Sequence, residues 1–226
     1  MKRSEINQVI REMEDLIHGV GFMLPPFCHY TPQEWQGFGH AYDEIRDNRL
    51  GWDITDYGLG RFDEVGFALI TLRNGKAGDA RYPKPYAEKL LMLRDGQGAP
   101  MHFHYSKTED IINRGGGNLI LTLYPSDGSG GYGTAPFTVS CDGVARELLP
   151  GARVRLIPGE SITLPPFLYH DFAVEPGSGA VLIGEVSSVN DDKTDNHFRD
   201  NLGRFPTIEA DEPPYRLLCT EYPPAE

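Results

Sequence analysis

Positive charge is scarce in this chain: 21 Lys and Arg stand against 33 Asp and Glu, a net charge of −12. Without a basic tract, so acidic a chain has no electrostatic hold on a phosphate backbone or an anionic bilayer, which excludes nucleic acid and membrane as expected partners. Long apolar runs are missing as well. Glu5, Arg11, Glu12, Glu14 and Asp15 break up the N-terminal segment, leaving no signal-peptide core or spanning stretch and pointing to the cytoplasm. Cysteine is sparse: Cys28, Cys141 and Cys219 are odd in number and lack metal-like spacing. That suits reduced thiols in the same compartment and assigns chemistry to none of them. No internal repeat or low-complexity segment is present. The 226 residues suffice for one domain with a sizeable core.

Histidine is also rare, seven in all, yet three fall where a metal site needs them. On a strand, positions i and i+2 share a face, so His102 and His104 can aim two imidazoles at one point while Phe103 faces away. Glu109 has the opposite parity and cannot share that face on an unbroken strand. A turn near residues 105–107 would return it on the antiparallel neighbour. His170 comes much later, at the end of Pro165-Pro166-Phe167-Leu168-Tyr169-His170. Three neutral imidazoles and one carboxylate leave a divalent ion with net positive charge, and a six-coordinate ion keeps two positions free. The competing reading is a strand with two solvent-facing histidines and a core histidine elsewhere. His18, His29, His40 and His197 lack matching spacing and read as structural.

Ile6, Val9, Ile10, Met13, Leu16, Ile17 and Val20 recur at helical spacing behind a possible Ser4 cap, and Gly19 and Gly21 end the pattern. Such a helix is expected to lie on the outside of a barrel. Thr31-Pro32-Gln33-Glu34 predicts a second, short helix with a capping box, and Trp35 and Phe38 give it an apolar edge. From Phe67 onward, short β-leaning runs follow one another at 67–72, 87–93, 118–124, 137–139, 143–148, 154–157, 161–164, 169–174 and 180–186. That spacing predicts a barrel or sandwich. Gly115-Gly116-Gly117 reads as a tight bend, since no lysine-serine pair or helix start follows it. The chain thus divides into a helical extension (1–60), a barrel core (61–187) and a polar, proline-rich tail (188–226). The tail is either a solvated charge run or a cover over one barrel mouth.

The glycines around the histidines complete two blocks. Gly96 to Gly116 reads G-x5-H-x-H-x4-E-x6-G, and Gly159 to His170 reads G-x5-P-x4-H. Together these resemble the two motifs of the cupin superfamily. The resemblance implies a mainly β fold, a double-stranded β-helix or jelly-roll barrel, with all four ligands pointing inward. Phe167 stands where cupins commonly have glycine and Val174 where asparagine is usual, departures that bear on the turn and the strand end. A closer resemblance lies in Tyr86 to Met92, in Pro100 to His104 with Lys107 and Glu109 to Arg114, and in the triple glycine. With Gly184 to Ser187 and Val189 to Asp192, these are similar to the D-lyxose isomerase family of cupins over most of the chain. The family implies an enzyme of carbohydrate metabolism that interconverts D-lyxose and D-xylulose, often also D-mannose and D-fructose. It implies a divalent ion, manganese foremost, with zinc, cobalt, iron or nickel as alternatives. Cupins often pair through sheet edges, which implies a homodimer.

The residues fit that chemistry. Moving a proton between C1 and C2 of a sugar through a cis-enediol needs an electrophile on two oxygens and a base. Glu185 lies in an otherwise apolar strand on the face of Val181 and Ile183, where an unpaired carboxylate would be costly. It is expected to face the cavity as the base, with burial raising its pKa. Lys107, two residues before Glu109, is a candidate to hold a sugar oxygen or act as general acid, and Lys89 a candidate to bind substrate. Either lysine could instead lie on the surface with its ammonium in water. Asp191 is a candidate for distal hydroxyls at the mouth. The cupin ligand set also admits a dioxygenase or decarboxylase, or a non-catalytic sugar-binding module.

Overall fold

The computed structural model describes residues 1–191, 194–200, 202–203 and 206–225. Asp192, part of the resemblance above, and the tail residues Lys193 and Phe205 lie outside the described residues. Three short helices come first: α1 (Arg3–Gly19), α2 (Pro32–Trp35) and α3 (Asp43–Asp47). In α1 the buried side chains Ile6, Val9, Ile10, Met13 and Ile17 form one stripe, as the 3.6-residue period requires. Its cap differs from expectation. Lys2 precedes the helix and its backbone N–H donates to Glu5 at 2.7 Å. Ser4 sits inside the first turn and binds Asp211 through both its backbone N–H and its hydroxyl. The capping box on α2 forms as predicted, with Glu34 N–H donating to Thr31 Oγ1 and Thr31 N–H to Glu34 Oε2.

Thirteen strands follow among the described residues: β1 (Gly51–Thr55), β2 (Phe67–Arg73), β3 (Tyr86–Leu93), β4 (Gly98–His104), β5 (Glu109–Gly116), β6 (Leu119–Pro125), β7 (Phe137–Cys141), β8 (Val144–Leu148), β9 (Ala152–Leu156), β10 (Ser161–Leu164), β11 (Leu168–Val174), β12 (Val181–Ser188) and β13 (Asn196–Phe198). They form an eight-stranded sheet in the order β1-β2-β3-β12-β5-β10-β7-β8 and a five-stranded sheet in the order β13-β4-β11-β6-β9. Every pairing between these strands is antiparallel. The inner faces close on Leu69, Leu91, Ile111, Leu121, Leu123, Phe172 and Ile183, which makes the jelly-roll barrel that the cupin resemblance implies. A second apolar layer joins α1 to the outer face of β1, β2 and β3 through Trp52, Ile54, Ile70, Leu90 and Met92. Two sequence boundaries shift: β1 lies within the stretch expected to be helical, and β13 lies within the tail.

Glu109 is not on an antiparallel neighbour of the histidine strand. β4 belongs to the five-stranded sheet and β5 to the eight-stranded one, so residues 105–108 cross from sheet to sheet rather than closing a hairpin. The crossing turns Glu109 to face the histidines across the barrel interior. Near the triple glycine, Gly115 and Gly116 adopt φ of 149° and 90°. A Cβ on Gly116 would stand 2.1 Å from the carbonyl oxygen of Ala180. The bend is therefore glycine-dependent both in conformation and in space.

Candidate active site

Three histidines come from one sheet and the carboxylates from the other. His102 on β4 lies directly opposite His170 on β11, and His104 follows on the same face. Their ligand-capable nitrogens all lie within 4.8 Å of one another. From the opposite sheet Glu109 Oε1 comes to 3.0 Å from His170 Nε2 and 3.4 Å from His104 Nε2. His102 Nδ1 is 2.9 Å from the Pro100 carbonyl and His170 Nδ1 is 2.9 Å from that of Leu168. A carbonyl only accepts, so each ring carries its proton on Nδ1 and turns an Nε2 lone pair inward.

These inward atoms are buried and unsatisfied. His104 Nε2, His170 Nε2 and Glu109 Oε1 have no hydrogen-bond partner, although they converge. Buried lone pairs left facing one another are destabilising unless a cation lies among them. The donor set, three imidazoles and a carboxylate, is also the set that divalent transition metals favour. Protonation states agree with ligation. Burial, with His170 and His104 nearby, pushes His102 well below the ordinary imidazole value. Burial and the Lys107 ammonium push His104 down as well. Burial alone would raise Glu109, but Lys107 and His104 hold it well below the usual carboxylate range. Neutral imidazole and ionised carboxylate are the ligating forms.

Glu185 faces this cluster from β12, as its parity predicts. Lys107 Nζ donates to its Oε1 at 2.9 Å, Lys89 Nζ at 3.1 Å and Ser187 Oγ at 3.3 Å. All three donors sit on one oxygen, so Oε2 has none among the described residues. Lys107 also reaches Glu109 Oε2 at 2.7 Å. Neither lysine is on the surface, since Lys89 is 5% and Lys107 4% exposed. The direction of the Glu185 shift corrects the sequence reading. Burial does raise it, but the ammonium groups of Lys107 and Lys89 outweigh burial and hold the carboxyl below its ordinary value. The same carboxylates raise Lys107 although burial opposes them, so it is held as ammonium and suits charge stabilisation better than proton donation.

The cavity is lined by His102, His104, Glu109, Glu185, Lys89 and Lys107 and by Tyr57, Phe67, Leu69, Leu91, Phe172, Asn196 and Phe198. Asp191 is not among them. It lines a neighbouring cavity of about 440 Å³ with Asp53, Thr71, Asn74 and Asn190, and Leu69 belongs to both walls. Sequence reasoning allowed the tail as a cover over one barrel mouth but named none of its contacts at the site. Asp195 accepts from the backbone N–H of Ser106 and of Lys107 and from the Ser106 hydroxyl. β13 then pairs Asn196 with His104 and Phe198 with His102. The polar composition of the tail contained no sign of this pairing. His197 stacks on Phe103 outside the site. The three cysteines are buried, and burial pushes the Cys28 thiol up to about 12, so it is unreactive at neutral pH.

A family model described as D-lyxose isomerase matches residues 1–222. A D-lyxose/D-mannose isomerase of Serratia proteamaculans is 48% identical over 223 residues, 98% of each chain. One from Escherichia coli O157:H7 has the same identity and coverage. Among solved structures, the ligand-free L-ribose isomerase of Cellulomonas parahominis aligns with a TM-score of 0.58 at 18% identity, over 92% of this chain and 98% of its own. That likeness is one of fold.

Proposed function

The chain belongs to the D-lyxose isomerase family, and from that premise we propose that it is a metal-dependent aldose-ketose isomerase. Its reaction interconverts D-lyxose and D-xylulose, and D-mannose and D-fructose. The observation that carries this reading is Glu185, a buried carboxylate with one oxygen held by two lysines and the other open, facing a cluster of three histidines and Glu109. A dioxygenase or decarboxylase needs the same open metal but has no proton to move between C1 and C2 of a sugar.

His102, His104, Glu109 and His170 would hold the divalent ion, for which manganese is our choice. Bound there, it supplies Lewis-acid polarisation of two adjacent sugar oxygens. The remaining steps belong to the chain. Glu185 Oε2 removes the proton from C2 of the aldose and returns it to C1, while the hydroxyl proton passes from O2 to O1 at the cis-enediol stage. One carboxylate suffices because C1 and C2 present the same face of the planar enediol to it. Lys107, held as ammonium, offsets negative charge developing on the sugar oxygens and keeps Glu185 Oε1 in place. Lys89 does the same for Glu185 from β3. Tyr57, Phe67, Phe172 and Phe198 supply an apolar wall that limits water around the enediol.

The reading extends to a cytoplasmic homodimer. The low and odd number of cysteines supports the compartment. The edge strand β8, with Val144 and Leu149 exposed beside it, supports a partner copy.

Ketose formation from D-lyxose and D-mannose by chelator-stripped protein, before and after manganese is restored, tests the reaction. Activity should return with the metal and be absent in His170→Ala. No turnover of any aldose, despite one tightly bound ion per chain, would overturn the isomerase reading.

A further inference from the structure

We infer that Asn190 is a positioning residue for the isomerisation: its side-chain amide oxygen fixes the Lys89 ammonium on Glu185, leaving the opposite carboxylate oxygen free as base. This rests on the isomerase reading above. Lys89 lies between Thr71 on β2 and Glu185 on β12 in register. Its ammonium has two recorded acceptors, Glu185 Oε1 at 3.1 Å and Asn190 Oδ1 at 2.6 Å. A lysine ammonium is a point charge on a flexible stem, so the second acceptor decides where the charge sits.

Asn190 is itself held from two further loops. Its backbone N–H donates to Asn74 Oδ1 at 3.0 Å, and its carbonyl accepts from Asn74 Nδ2 at 3.2 Å. Asn48 Nδ2 in turn donates to the Asn74 carbonyl at 3.1 Å. Three asparagines, each from a different loop, thus lead to Lys89, and the division of labour at Asn190 is clean. Its backbone secures the loop and its side chain secures the lysine. The identity of the residue follows from charge. A neutral amide accepts from the ammonium without neutralising it, so the full positive charge remains for Glu185. An aspartate of the same shape would draw the ammonium away. Asn190 also lines the neighbouring cavity.

The test separates positioning from mere structure. Asn190→Asp keeps the backbone pair with Asn74 and changes only the acceptor's charge. In manganese-loaded enzyme on D-lyxose, kcat should fall by about tenfold or more while KM stays within about threefold and metal content is unchanged. In a Lys89→Met background the same change should have no further effect. In metal-stripped protein, the thermal midpoints of Asn190→Ala and Lys89→Met should be non-additive, as expected for residues in contact. The inference is overturned by an Asn190→Asp enzyme with kcat within about twofold of wild type. It is equally overturned by effects that multiply in the Lys89→Met background, or by additive midpoints in the stripped protein. A wild type inactive on every aldose would instead sink the isomerase reading and this role with it, while the stripped-protein cycle would still judge the contact.

Discussion

At the scale of single residues, the site depends on charges that hold one another ionised. Glu185 is depressed below its ordinary value of 4.5 and Lys107 is raised above 10.5. The signs follow from linkage. A depressed carboxylate contributes stability that is present above pH 4.5 and lost as pH falls through the folded value. A raised lysine contributes stability that is present below 10.5 and lost as pH rises through its folded value. Between those limits both are charged, so the proposed base is ionised at neutral pH and the acid limb of kcat attributable to Glu185 should lie below the ordinary carboxylate value. Lys107→Met removes the larger of the two ammonium effects and should move that limb to higher pH, as a kcat profile would reveal. Glu185→Gln should abolish exchange of the C2 proton with solvent while metal content stays normal. Exchange that survives the substitution would remove Glu185 from the mechanism.

At the scale of elements, the strands were readable and the crossings were not. Inward and outward positions alternate along a strand, which is why His102, His104 and Glu185 could be placed from parity alone. The same parity argument placed Glu109 on a neighbouring strand of the same sheet. A four-residue connection leads equally well to a hairpin or to the opposite sheet, and local spacing cannot distinguish them. The turn before His170 offers a test of element chemistry. Phe167 occupies the position where glycine is expected and adopts φ of 61°, the left-handed conformation that glycine takes freely. Its N–H donates to the His104 carbonyl and its own carbonyl accepts from Ser126, so the strained residue ties the end of β4 to the turn. Its ring packs on Phe103 and Tyr105 while remaining half-exposed. Phe167→Gly should therefore change unfolding free energy by under about 1 kcal/mol, whereas the β-branched Phe167→Val should cost about 1–3 kcal/mol. Equal tolerance of glycine and valine in denaturant titrations would refute the claim of strain.

At the scale of the whole molecule, the tail serves two unrelated purposes, and its composition left a cover over one barrel mouth as one of two readings without naming either set of contacts. Its contacts reach residues about a hundred or two hundred positions away, beyond any periodic signal. The first part works at the site, where Asp195 pins the 105–107 crossing between His104 and Glu109, two of the proposed ligands, and lies 3.9 Å from His104 Nδ1. The last part works on the opposite side of the sheet. Glu221 pairs with Arg3 and accepts from Leu218 N–H, Tyr215 donates to Glu14, and Asn7 donates to Glu212, so the C-terminal segment clamps α1 onto the barrel. The two roles should separate under mutation. Asp195→Ala should weaken metal affinity by about 10- to 100-fold, because outer groups orient the ligands, while the unfolding midpoint of metal-stripped protein changes little. Glu221→Gln should do the reverse, costing roughly 1–3 kcal/mol in stripped protein with metal affinity preserved. Calorimetric metal titration of both variants, paired with thermal melts after chelation, decides the matter. A Glu221 variant that lost metal affinity as strongly as the Asp195 variant would mean that α1 and the site melt as one unit, and the division of the tail into two functions would be wrong.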